Sequence, residues 1–141
     1  MFEKSILIVA HPDDDILWLS SVVDKVTLIV FCYLDDESNP QIGAGRRKTI
    51  AEYPLRNIKC LELVEAGSFN CANWHNPIET DYGLELIKKN APRRSYIKNA
   101  NVLHEKLVKL LKGFDNVFTH NPWGEYGHED HVQVYRTIKK I

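Results

Sequence analysis

The chain predicts an α/β domain on a mainly parallel sheet, for three reasons. Apolar runs of strand length alternate with segments of helical period. The first run, "SILIVA" at residues 5–10, is continuously apolar after its serine, as suits a strand covered on both faces. Two unusual polar clusters, residues 11–15 and 120–131, each follow directly on a strand, where such sheets gather their sites.

Each element has its own signal. Residues 5–10 form the first strand. Pro12 fits at or just before the first turn of a helix, where a missing N–H is harmless. That helix covers residues 14–24, with apolar positions at Ile16, Leu17, Leu19 and Val23. "VTLIVFCYL", residues 26–34, is β-branched and apolar and predicts the second strand. Residues 35–45 carry turn chemistry, with Asp35, Asp36 and Glu37 as a solvated turn or a polar rim. A helix from 46 to 53 follows, and Pro54 ends it. Residues 58–67 alternate as a third strand, and 68–80 are a polar, aromatic-rich loop. Residues 81–100 hold a short helix at 83–90, stopped by Pro92. The clearest helix is 101–114, where Val102, Leu103, Leu107, Leu110 and Leu111 share a face and Gly113 is a C-cap. Residues 116–120 are a short strand, and a last helix runs from 128 or 129 to 140.

A chain of 141 residues, 44% hydrophobic and 26% charged, suits one globular domain over 1–141. A net charge of −1 gives no general field for nucleic acid or an anionic membrane, so neither is expected as a partner. No apolar stretch is long enough to span a bilayer. The N-terminus lacks a signal-peptide cleavage site and is taken as a first strand, which makes a cytoplasmic location the expectation. Cys32, Cys60 and Cys71 form no C-x-x-C and are expected to be reduced and structural.

The chemistry lies in the two clusters. Asp13, Asp14 and Asp15 repel one another unless something positive sits among them. A helix N-terminus offers part of that charge, and aspartate is a common helix cap. Three in a row after His11-Pro12 is more than a cap needs, and a divalent cation accounts for the histidine as well. In the second cluster, "NPWGEYGHEDH", His128 and His131 stand three apart and share a helix face. This spacing is not the H-E-x-x-H of zinc peptidases. One imidazole and one carboxylate from the first cluster, with one imidazole from the second, make three ligands and leave an open position, as a catalytic zinc requires. An aspartate that is not a ligand can then take a proton from water. The other histidine can stabilise an oxyanion and protonate a leaving amine. Hydrolysis of an amide is the natural reaction.

"AHPDDD" at 10–15 and "GHEDH" at 127–131 resemble the two signature motifs of the PIG-L/LmbE-like zinc-dependent N-deacetylases, A-H-P-D-D-E and H-x-x-H. The resemblance implies a Rossmann-like three-layer α/β sandwich with a mainly parallel sheet. It implies removal of an acetyl group from an N-acetylglucosamine-type amino sugar or small glycoconjugate. By the same resemblance His11, Asp14 and His131 are the zinc ligands and Asp13 is the general base. His128 is the acid and oxyanion partner, and Arg46 and Tyr126 serve the substrate. Iron or cobalt suits similar ligands. Asp15 replaces the usual glutamate and is expected to cap or support, while Thr49 stands where an R-x-x-E pattern has its glutamate.

Family members continue well past the second motif. The resemblance therefore covers the front part of a typical member, and the chain is expected to be a minimal or C-terminally truncated one. The alternatives are a weakly active or non-catalytic metal-binding fragment and a metal-dependent phosphoesterase; no Gly-rich phosphate loop favours the latter. His120 suits either a role near the site or a structural one. His75 and His104 are expected to hold no ligand. Trp18 is expected in the core, and Trp123 in a loop where it could stack on a sugar.

Overall fold

The computed structural model describes residues 2–141. In chain order the elements are β1 (Ser5–Val9), α1 (Asp14–Leu19), β2 (Leu28–Asp36), α2 (Pro40–Ala51), β3 (Ile58–Glu65), β4 (Glu79–Thr80), β5 (Gly83–Leu84), α3 (Arg93–Leu111), β6 (Asn116–Thr119) and α4 (Glu129–Lys140). β3, β2, β1 and β6 lie side by side in that order, and every neighbouring pair is parallel. β4 and β5 form a separate antiparallel hairpin.

β1 explains the layering. All five of its residues are buried. Ile6 and Ile8 face one core with Val30, Cys32, Leu61, Leu63, Leu103, Leu107 and Val134. Leu7 and Val9 face the other with Val23, Val26, Ile29 and Phe31. Alternation along a strand sends successive side chains to opposite faces, so a continuous apolar run needs cover on both. The expected α/β fold is therefore present, with helices on the two faces of an all-parallel sheet.

The chain steps from β1 to β2 to β3 in one direction, then crosses back to place β6 on the other side of β1. That reversal opens a crevice beyond the C-terminal ends of β1 and β6, where open α/β sheets bind ligands. Both polar clusters sit there.

Several elements differ from the sequence expectation, and α3 starts at Arg93, eight residues before the expected 101. β2 runs on through Asp35 and Asp36, because they pair with Val64 and Glu65 of β3. α2 begins at Pro40 rather than residue 46; its glycines disguise it as a turn, and Gly43 is needed because a Cβ there would meet Asp35 Oδ1 at 2.6 Å. No helix forms at 83–90. Pro92 caps the start of α3 instead of ending a helix before it, since a proline lacks only a donor that the first turn leaves unpaired. α1 stops at Leu19, short of residue 24.

Gly83 adopts φ +133°, and a Cβ on it would lie 2.3 Å from Tyr96 Oη. Tyr96 is fully buried and donates its hydroxyl to the Glu129 carbonyl at 2.7 Å, tying α3 to the start of α4. Gly83→Ala is expected to lower unfolding free energy by about 3 kcal/mol, from backbone strain and overpacking together. Urea denaturation checks this, and an unchanged midpoint would refute the contact.

Candidate metal and catalytic centre

His11 follows β1 directly, and its backbone N–H donates to Asp14 Oδ2 at 2.8 Å. Pro12 and Asp13 make the turn between them. Asp13 takes φ +121° and ψ −30°, a conformation that L-residues rarely adopt. Its carbonyl accepts from Ile16 and Leu17, so the strained residue starts α1. Its side chain is exposed, whereas Asp14 and Asp15 are buried. Asp15 Oδ1 accepts from the Asp13 N–H at 3.2 Å, and the Tyr53 hydroxyl also binds Asp15.

From the other end of the chain, His128 is the N-cap of α4 and His131 lies in its first turn. Their rings stack at 4.7 Å, and His120 stacks on the opposite side of His131 at 4.0 Å. The two ends meet at Asp14. Its Oδ1 lies 3.2 Å from His131 Nε2, and its Oδ2 lies 3.3 Å from His11 Nδ1. The His11 and His131 rings are 5.4 Å apart.

Among the described residues, three groups place one ligand atom per residue within 4.8 Å of one another: His11–His128–His131, Asp14–His120–His131 and His11–Glu65–Asp130. The expected trio of His11, Asp14 and His131 is spread over the first two, with His131 common to both. His11 Nε2 and His131 Nε2 are buried without any hydrogen bond. The 2.8 Å approach of Glu65 Oε1 to His11 Nε2 lies off the hydrogen-bonding direction, and that oxygen pairs with the Arg46 guanidinium instead. Such orphaned atoms are rare in native interiors. Bare imidazole nitrogens beside a carboxylate are the donor set that zinc takes, so the residues present fit a metal ion.

Residues 6–141 match the family described as GlcNAc-PI de-N-acetylase, PIG-L. The chain belongs to the PIG-L family. Two curated relatives carry the name 1D-myo-inositol 2-acetamido-2-deoxy-alpha-D-glucopyranoside deacetylase. One, from Saccharomonospora viridis, is 26% identical over 90% of this chain and 53% of its own length. The other, from Corynebacterium diphtheriae, is 21% identical over 98% of this chain and 52% of its own length. The chain thus spans about half the length of the curated relatives it matches. No solved structure matches it. No helix among the described residues is long and apolar enough to cross a membrane.

Arg46 and Tyr126, the two residues expected to serve the substrate, lie near the same centre. Arg46, on α2, pairs with Glu65 at the end of β3, and Glu65 in turn faces His11. Tyr126 is 58% exposed, with its ring 5.6 Å from His131 and 5.9 Å from His128. Trp18 is not in the core. It is 43% exposed and stacks on Tyr126 at 5.7 Å, because α1 presents Ile16, Leu17 and Trp18 outward. Trp123 is exposed in its loop. The three cysteines are free thiols.

Four neighbours escaped the sequence reading or were left open by it. Glu65 faces His11. Asp130 Oδ2 lies 3.5 Å from His11 Nε2, with its other oxygen held by Ser68 at 2.8 Å. Glu125 contacts both His131 and His120. His120 is buried, and its Nε2 accepts from the Ala10 N–H at 2.8 Å. For Glu65 one signal existed: it is an acidic residue at the C-terminal end of a predicted strand.

The electrostatics follow the geometry. Burial works to raise the Asp14 carboxyl, but His11 and His131 outweigh it and hold it well below the usual range. Burial would lower His11, yet its carboxylate neighbours Asp130, Asp14 and Glu65 raise it well above 6.5. Asp13 is raised, by burial and then by Asp14. Burial pushes His128 down to about 4, with the neighbouring histidines adding to the effect. The unfolded chain then binds a proton on His128 more readily than the folded one. This contribution to stability is present above about pH 6.5 and is lost as pH falls to about 4. The stability difference between wild type and His128→Gln is expected to favour wild type more at pH 7 than at pH 4, by at most about 3 kcal/mol. NMR titration of the metal-free protein checks the cause directly, and a His128 pKa near 6.5 would remove it.

Proposed function

We propose that this chain is a metal-dependent amidohydrolase that removes the acetyl group from an N-acetylglucosamine-type amino sugar or glycoconjugate. The observation that carries the reading is the pair of buried, bare Nε2 atoms on His11 and His131 with the Asp14 carboxylate beside both rings. Membership of a de-N-acetylase family supplies the reaction class. The names of the two relatives support an acetamido sugar joined to inositol as the kind of substrate.

His11, Asp14 and His131 would hold the ion, with zinc as the first choice. A zinc ion bound there supplies Lewis-acid polarisation and brings the pKa of bound water to about 7. Asp13 is the exposed carboxylate next to a ligand, and its raised pKa suits a group that takes a proton from attacking water. His128, beside both ligand histidines, donates its Nε2–H to the developing oxyanion, and the proton that Asp13 takes from water passes on to the leaving amine in that hydrogen-bonded mouth. Tyr126 and Trp18 form an exposed aromatic wall against which a sugar ring can stack. Arg46 acts through Glu65 and borders the substrate side.

Metal analysis of purified protein, paired with acetate release from a panel of acetylated amino sugars, tests the reading. One zinc per chain and chelator-sensitive acetate release are expected. Zinc without acetate release would support a non-catalytic metal-binding chain instead. Phosphate release from sugar phosphates would support the phosphoesterase. Absence of any bound metal would end the proposal.

A further inference from the structure

We propose that Glu125 is a positioning residue that fixes the tautomers of His120 and His131, leaving His131 as the only member of a three-histidine stack with a free lone pair for a metal. The inference rests on the metal site proposed above and concerns what selects its ligand. His120, His131 and His128 form one continuous stack, with His131 in the middle. By distance alone all three belong to groups able to hold an ion. Their hydrogen bonds separate them.

A neutral imidazole has one N–H and one lone pair, and whatever binds one nitrogen decides the state of the other. His120 Nε2 accepts from the Ala10 amide at 2.8 Å, so its lone pair is used. The proton of His120 must then be on Nδ1, which faces Glu125 Oε2 at 2.9 Å. His128 Nδ1 accepts from the Asp130 amide at 3.2 Å, which puts the proton of His128 on Nε2. Neither ring offers a lone pair unless it breaks a backbone hydrogen bond at a buried site. His131 Nδ1 lies 2.7 Å from the same Glu125 Oε2, and a carboxylate oxygen can only accept. Asp14 Oδ1 competes for the other nitrogen at 3.2 Å from Nε2, but without hydrogen-bond geometry, whereas the Glu125 contact is shorter and aligned. The proton of neutral His131 therefore sits on Nδ1, and Nε2 turns its lone pair to the space beside Asp14.

Glu125 is itself fixed for this task. Its Oε1 accepts from the Asn121 amide at 2.8 Å, and its own amide donates to Asn121 Oδ1 at 3.0 Å. Its backbone sits at φ +56°, a conformation unfavourable for glutamate that these bonds hold in place. One oxygen thus serves two imidazoles while the other is anchored to the loop. An amide cannot do the same. In Glu125→Gln either the NH2 faces the two Nδ1–H groups or it faces the Asn121 N–H, and each arrangement sets donor against donor.

The first test needs neither a variant nor a metal. Long-range 15N–1H correlation spectra of the metal-free wild-type protein, followed upward in pH until each ring is neutral, read each tautomer. The expected result is Nδ1–H for His120 and His131 and Nε2–H for His128. His131 as the Nε2–H tautomer would overturn the proposal, as would a bare Nε2 on His128. Titration with zinc chloride should then perturb Nε2 of His131 and leave His120 and His128 in their tautomers. Loss of the His120 or His128 proton on zinc addition would also overturn it. Glu125→Gln is expected to weaken zinc binding by about 10- to 100-fold in a chelator competition, the range for residues that orient metal-bound histidines. Wild-type zinc affinity in a folded Glu125→Gln protein would contradict the role. If wild type binds no zinc at all, the metal reading fails while the tautomers remain legible, so the two failures are distinct.

Discussion

Asp13→Asn is expected to lower acetate release by about 10²- to 10⁴-fold, the usual worth of a positioned general base, without loss of zinc. The side chain is exposed at the mouth of the centre and is not a member of any group of neighbouring ligand atoms. Removing its charge also relieves repulsion from Asp14, so the metal-free variant should be no less stable than wild type. The backbone sharpens the prediction. Holding a non-glycine residue at φ +121° costs of order 1–3 kcal/mol. Asp13→Gly removes that strain and should unfold at the same urea concentration as wild type or higher, while being as inactive as Asp13→Asn. A gain in stability with a loss of turnover is the signature of strain kept for chemistry. Activity within a few-fold of wild type in either variant would remove Asp13 from the mechanism.

His131→Ala is expected to weaken zinc binding by about 100-fold and, unlike Asp13→Asn, to destabilise the metal-free protein. One ligand's share of the roughly 10–16 kcal/mol of a four-ligand structural zinc site is about 3 kcal/mol, or about 100-fold in affinity. The second effect comes from the partners left behind. His131 is fully buried and lies between Asp14 and Glu125, whose carboxyl it helps hold down at about 2. Deleting one side of a buried ion pair typically costs about 3–5 kcal/mol, because the charge left behind is poorly solvated. His11→Ala should match the zinc loss. Chelator competition and urea unfolding in parallel read the two effects. Wild-type zinc affinity in His131→Ala would show that the ion is held elsewhere.

The sequence disclosed the elements that bury a repeating pattern and hid those that do not. β1 and the apolar face of α3 were legible because continuous or periodic burial leaves a direct trace. The first half of α2 was hidden because it buries almost nothing but Gly43, so its composition resembles a turn. The end of β2 was hidden because Asp35 and Asp36 keep the strand ladder while carrying charges to its tip. For the centre, His11, Asp13 and Asp14 and the pair His128 and His131 were legible because each set is compact in sequence. Glu65 was not, because it stands alone at the end of its strand; His120 was left open and Glu125 passed over within the second cluster, because no spacing there marks which side chains face the ligands. Glu125 also lies in a loop with no period, where a single carboxylate has no signature.

The pairing of β1 with β6 joins residues 111 positions apart. During synthesis, β1 is made well before β6 and keeps one flank bare until β6 follows it. A nascent polypeptide that ends after β3 holds His11 and Asp14 but none of the imidazoles that answer them. It also exposes the hydrogen-bonding rim of its most apolar strand, a template for wrong partners. Long-range closure of this kind slows folding. The interval before β6 arrives is therefore when this protein most needs shielding from its neighbours, and no ion can shorten it.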